Sequence, residues 1–131
     1  MIKTPLSKLY TFKNFTVIKQ DSKYYEIEVF ENCEFGFEEL RLLIDAQTEM
    51  GCEKLPVIVL CGEYTTTDAD FLNHLSKNEN DPFSKADAFV IKSLAQKIMA
   101  NFYIKIVRPE RPTRFFNTKE AALNWIQKYI E

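Results

Sequence analysis

Glycine is scarce in this chain, with 3 in 131 residues, and proline numbers 5. Such a composition excludes a linker-rich or disordered polypeptide. There is one histidine, His74, which excludes the common metal sites built on several imidazoles. Cys33, Cys52 and Cys61 are odd in number and form no CxxC pair. Three free thiols fit a reducing cytoplasm better than an oxidising compartment. No run approaches the ~20 apolar residues of a membrane span. The N-terminal MIKTPLSKLYTFKNF lacks the apolar core of a secretory signal. The expectation is a cytoplasmic protein without metal, cofactor or membrane span.

What is present is an ordinary globular composition, 46% apolar and 27% charged. The length fits one domain over residues 1–131, large enough to bury roughly two thirds of the surface its unfolded chain exposes. Net charge is −2, unevenly spread. Residues 21–87 hold 16 acids and 5 bases, a net −11, whereas residues 92–119 hold 7 bases and Glu110, a net +6. Either the two regions neutralise each other on folding, or the basic one meets an anionic partner.

Periodicity gives the elements. Residues 10–19 and 24–30 alternate apolar and polar around the polar cluster 20–23, an antiparallel hairpin with one wet face. A break near Lys13-Asn14 marks a bulge or the start of pairing. Residues 37–50 are helical, with Phe37, Leu40, Leu43, Ile44 and Gln47 on one stripe, Glu38 and Glu39 in the first turn, and Gly51 at the C-terminal stop. VIVLCG (57–62) is a strand buried on both faces. Asp68 or Thr67 caps a short helix with Phe71, Leu72 and Leu75. Residues 78–85 read as a polar connection and residues 88–91 as a short buried strand. Ser93 caps a helix whose inner face is Leu94, Ala95, Ile98 and Phe102. YIKIV (103–107) reads as strand, residues 108–114 as an exposed turn, and residues 114–116 as a short strand. Asn117 with Glu120 resembles a capping box opening the last helix, in which Trp125 is a core anchor. The order β-β-α-β-α-β-α-β-α predicts an α/β domain: a mixed sheet with an N-terminal antiparallel hairpin and a parallel centre, covered by about four helices.

The C-terminal third carries a resemblance. Ala86-Asp87-Ala88-Phe89-Val90-Ile91-x-Ser93, Asn101-Phe102-Tyr103, Arg108-Pro109-x-x-Pro112-Thr113-x-x-Phe116 and Glu120-Ala121-Ala122-Leu123-x-Trp125-Ile126 together resemble the STAS-like (SpoIIAA-like, anti-sigma-factor-antagonist-like) domains. The likeness is to small uncharacterised bacterial proteins of the STAS/SEC14 type. It covers about 45 residues closely and the remainder in element order. It implies a STAS-like fold. Phosphoregulated STAS domains carry an Asp-Ser-Ser-Gly switch in the loop after the central strand. Here that loop is Gly62-Glu63-Tyr64-Thr65-Thr66-Thr67-Asp68 and the switch sequence is absent.

Candidate sites are few. Thr65, Thr66, Thr67 and Asp68 precede a helix N-terminus, where an anion or a phosphorylated hydroxyl is favoured; the competing reading is an exposed loop with a helix cap. Arg108, Arg111 and Arg114, stiffened by Pro109 and Pro112, suit a phosphate or carboxylate or are a solvated turn. Nucleic acid is disfavoured by a sequence pI near 5.5. Cys61 and His74 make a nucleophile only if they meet and a third group orients the imidazole; otherwise Cys61 is core and His74 surface. Glu26, Glu28, Glu31 and Glu34 form a cation site or, more simply, a solvated strand face.

Three functional expectations follow. The first is a non-enzymatic regulatory or protein-interaction module using loop 62–68, with an unidentified protein partner and a homodimer open to it through an edge strand. The second is a domain binding a small ligand, lipid or anion, which requires a sizeable apolar pocket between the sheet and the helix carrying Leu94 and Phe102. The third is a Cys61/His74 enzyme.

Overall fold

Strand alternation starts earlier than Tyr10. The computed structural model describes residues 7–130, with β1 at Ser7–Thr11, β2 at Phe15–Gln20 and β3 at Tyr24–Val29. The single strand expected over 10–19 is two strands. The chain reverses at residues 12–14, where the Phe12 N–H donates to the Phe15 carbonyl at 2.8 Å and the Phe12 ring stacks on Phe15 at 4.8 Å. β2 and β3 are joined by Asp21, Ser22 and Lys23; the Lys23 N–H donates to the Gln20 carbonyl at 2.8 Å, and Asp21 and Ser22, the central residues of that turn, are both at positive φ. That is the turn geometry whose twist matches a hairpin.

The rest alternates: α1 at Phe37–Glu49, β4 at Leu55–Cys61, α2 at Ala69–Leu75, β5 at Ser84–Val90, α3 at Leu94–Phe102, β6 at Thr113–Phe116 and α4 at Lys119–Ile126. The sheet order is sequential, β1 to β6. β1, β2 and β3 are antiparallel neighbours, and β3 through β6 are parallel. Right-handed crossovers that step the same way along a sheet put their helices on one face. Accordingly α1 and α2 pack with Val17, Tyr25, Ile27 and Val57 in the larger core. α4 covers the opposite face, burying Ala122 and Ile126 against Ile58, Ala88 and Val90. β4 supplies both layers, which is why its sequence is apolar without alternation.

Three sequence expectations are corrected. Residues 103–107 are not a strand. They continue α3 as a π-helical turn, Tyr103–Val107, closed by the Arg108 N–H on the Tyr103 carbonyl at 2.8 Å. β5 is flanked by β4 and β6, so no sheet edge is open there for the segment to join. β5 itself is longer than expected, beginning at Ser84. α4 is capped by Thr118, whose hydroxyl accepts from the Ala121 N–H, and not by Asn117. The caps at Asp68 and Ser93 are as expected, Ser93 forming a capping box with Gln96.

A fourth correction concerns Arg111, expected in an exposed turn and found buried. Its Nε donates to Asp87 Oδ2 at 2.8 Å, and its Nη2 to Asp81 Oδ2 and to the Leu75 carbonyl, both at 2.9 Å. Nη1 reaches Asn78 Oδ1 at 3.3 Å. Ser84 donates its hydroxyl to the other oxygen of Asp87. One guanidinium therefore ties the end of α2, the connection to β5, β5 itself and the approach to β6. Burial, then the neighbouring Asp87 charge, push the Asp81 carboxyl up to about 7 against the pull of Arg111.

Removing one partner of a buried ion cluster strands the others. Arg111→Met is expected to lower unfolding free energy by about 3–5 kcal/mol at pH 8. The Asp81 pKa is raised on folding, so its favourable contribution is present at low pH and lost as pH rises through about 7. Urea unfolding at pH 5 and pH 8 is then expected to show a smaller deficit for the variant at pH 5. Equal deficits at both pH values would contradict the two-carboxylate account.

Candidate functional site

Between the sheet and the helices that cover α1's face lies a cavity of about 330 Å³. Its floor is one pleat of the sheet: Ile27 and Val29 of β3, Val57, Val59 and Cys61 of β4, Phe89 of β5 and Phe115 of β6. These are i, i+2 positions held level by the parallel register, Ile27 opposite Val59 and Val59 opposite Phe89. Leu40 and Leu43 of α1, Phe71 and Leu75 of α2, and Met99 and Ala100 of α3 form the walls and roof. The exposed lining residues, Thr66 and Ala95, sit where β4 and β5 end, and this is the mouth.

Four polar residues interrupt an otherwise apolar lining away from the mouth. Asp81 and Asp87 belong to the Arg111 cluster. Gln47, on the buried stripe of α1, is fully buried with neither Oε1 nor Nε2 hydrogen-bonded, and Tyr103 is fully buried with its hydroxyl unpaired. Burial raises the Tyr103 pKa, so the phenol stays protonated. Among the described residues, no basic side chain lines the cavity.

The mouth is built from loop 62–68. Gly62 passes so close to the end of β3 that a Cβ would lie 2.5 Å from the Val29 carbonyl oxygen, a contact only glycine permits. Thr65 donates its hydroxyl to the Phe30 carbonyl at 2.7 Å and Thr67 to the Phe35 carbonyl at 2.8 Å. Asp68 accepts from the Phe71 N–H at 2.8 Å. Three of the four residues singled out in this loop thus have their side chains engaged in holding it; Thr66 is exposed, its backbone bridging to the strand-like stretch at Glu34. Gln96 of α3 donates to the Gly62 and Thr65 carbonyls at 2.8 and 3.1 Å and so latches the roof to the mouth.

The other sequence candidates separate. Arg111 is internal, Arg108 is exposed with its Nε on the Lys105 carbonyl, and Arg114 is exposed 5.6 Å from the Phe116 ring centre; the three do not form one anion site. Cys61 lines the cavity, and burial pushes its thiol up to about 12 despite nearby Lys92. His74 packs its ring against exposed Phe37 at 5.0 Å and is absent from the cavity wall. Glu26 pairs with Lys119 at 3.0 Å, Glu28, Glu31 and Glu34 are exposed, and no cluster of metal-ligating side chains occurs among the described residues. Trp125 lies half-buried between Phe116 and Tyr129.

The roof helix is rotated from expectation. Ala95, Gln96, Met99, Ala100 and Tyr103 face inward, while Leu94 and Ile98 are 74% and 59% exposed. Ile106, on the π-turn, is 68% exposed. With Ala95, Gln96 and Ala100 turned inward beside Met99 and Tyr103, and Leu94, Ile98 and Ile106 turned outward, the helix has space beneath it and an apolar face above it. No helix among the described residues is long and apolar enough to cross a membrane.

A family model described as Domain of unknown function (DUF7793) matches residues 26–130. No curated protein matches. Among solved structures, the chain is similar to an uncharacterised protein of the DUF3478 family with a SpoIIAA-like fold from Shewanella loihica PV-4, at 13% identity and a TM-score of 0.46, over 92% of this chain and 91% of that one.

A thiol that titrates near 12 is a poor nucleophile at neutral pH. Iodoacetamide at pH 7.5 is therefore expected to alkylate exposed Cys52 at least ~100-fold faster than Cys61 in the folded protein, read by peptide mass spectrometry. Comparable rates would mean that Cys61 is activated and would return a cysteine chemistry to consideration.

Proposed function

The chain belongs to the family described as Domain of unknown function (DUF7793), and on that premise we propose that it is a non-enzymatic domain that holds a small, mostly apolar molecule beneath α3. The observation that carries this reading is the cavity itself. Ligand pockets run from about 300 Å³ upward, and an apolar hole of ~150 Å³ already accepts benzene. At about 330 Å³, this cavity suits a ligand of roughly a dozen non-hydrogen atoms. The lack of a basic lining residue argues for an apolar rather than an anionic ligand.

The interaction-module reading is favoured by a separate observation, the exposed apolar face of Leu94, Ile98 and Ile106 set among Lys97 and Lys105. The same helix roofs the cavity. A ligand under α3 fixes where that outer face stands, so binding and partner contact form one regulatory device.

Filling the cavity from the roof tests the reading. Ala100→Leu is expected to stabilise the protein by about 0.5–2 kcal/mol and to abolish binding of toluene, followed by calorimetry. Destabilisation by ~1–3 kcal/mol, the mark of an overpacked core, with no toluene binding to the unmodified protein, would overturn it.

A further inference from the structure

Buried polar atoms without partners are rare, because each one forfeits its hydrogen bonds to water and regains none. Here Gln47 Oε1, Gln47 Nε2 and Tyr103 Oη are all unpaired, both residues are 0% exposed, and both line the apolar cavity beneath α3. Leucine or methionine at position 47 and phenylalanine at position 103 would fill the same space without that penalty. A glutamine amide offers a donor and an acceptor side by side, and a phenol offers one of each. The group that satisfies a side-chain amide reciprocally is another amide edge, its carbonyl accepting from Nε2 and its N–H donating to Oε1.

Charge narrows the choice further. The only carboxylates in the lining are Asp81 and Asp87, and Arg111 is already committed to both of them, to Leu75 and to Asn78. An anionic head would therefore meet carboxylates and no free cation. A cationic head would compete with Arg111 for Asp81 Oδ2 and Asp87 Oδ2, and Ser84 already holds Asp87 Oδ1.

We infer that the ligand carries a neutral amide-type head, a carboxamide, lactam or imide edge, on an apolar body, with Gln47 and Tyr103 as the residues that select it. This rests on the cavity reading above and adds the ligand's chemistry to it. Gln47 and Tyr103 are then specificity residues whose polarity is kept at the expense of the unliganded fold.

The experiment is a calorimetric comparison of octanamide, octanoate, octylamine and toluene at pH 7.5, on the full chain and on Gln47→Met and Tyr103→Phe. Octanamide is expected to bind at least about tenfold more tightly than octanoate or octylamine. Gln47→Met is expected to lose that preference while still binding toluene, and to melt a few degrees higher without ligand, because two unpaired buried atoms are gone. Tyr103→Phe is expected to shift both quantities in the same direction. If toluene binds but the three heads bind alike, or octanoate or octylamine binds best, the head assignment is wrong and the cavity reading stands. If neither variant alters octanamide affinity, the assignment of these residues is wrong. If no probe binds at all, the cavity reading falls with it.

Discussion

One arginine in a position that reads as surface holds the cavity's deep end. Arg111 lies on the approach to β6, yet its guanidinium reaches α2, the connection to β5, and β5. Ionic groups are expensive to bury, and an apolar replacement often packs as well. What the cluster supplies is position. It fixes the Asp81 and Asp87 carboxylates at the cavity wall, sets where β6 begins, and anchors the segment that follows the π-turn. With that end pinned, α3 bridges from Ser93 to Arg108 over an open sheet face instead of settling onto it.

The roof then does two things with one helix. Of its inward residues, Ala95 and Ala100 are short and Gln96 is held at the mouth, so that Met99 is the one large apolar side chain it sets above Val59 and Phe89. Its outward residues, Leu94, Ile98 and Ile106, are the large ones that would fill the space there. Gln96 locks this orientation, since its amide holds the Gly62 and Thr65 carbonyls while its Oε1 caps the helix start through the Lys92 N–H at 2.7 Å. The π-turn begins at Tyr103, a residue of the cavity lining, a placement common at functional sites. Loop 62–68 serves the same end as a rigid lip.

Much of the fold is legible in the chain. β4 shows itself as an unbroken apolar run because it is buried on both faces, and α1 shows itself by its stripe. The antiparallel hairpin, the parallel centre and the four helices follow from alternation and helix period. The site is much less legible. A buried arginine and an exposed one look alike in sequence, so Arg111 reads as part of a basic turn. The segment YIKIV carries strand alternation, and nothing in the sequence shows that both edges of β5 are taken by β4 and β6. Leu94 and Ile98 read as core because periodicity assigns apolar residues inward, whereas Gln96 and the capping box fix the opposite rotation. Gln47 was visible as the polar member of an apolar stripe, the one sequence signal pointing to the cavity. Tyr103 had none.

The central claim is that space exists under α3 because its large side chains face out. The direct measurement is a crystal structure of the full chain pressurised with xenon, which enters dry apolar cavities. The account predicts xenon between Val59, Phe89 and Met99, with Leu94 and Ile98 in solvent. An α3 turned to bury Leu94 and Ile98 on the sheet, with a filled core and no xenon, would contradict it.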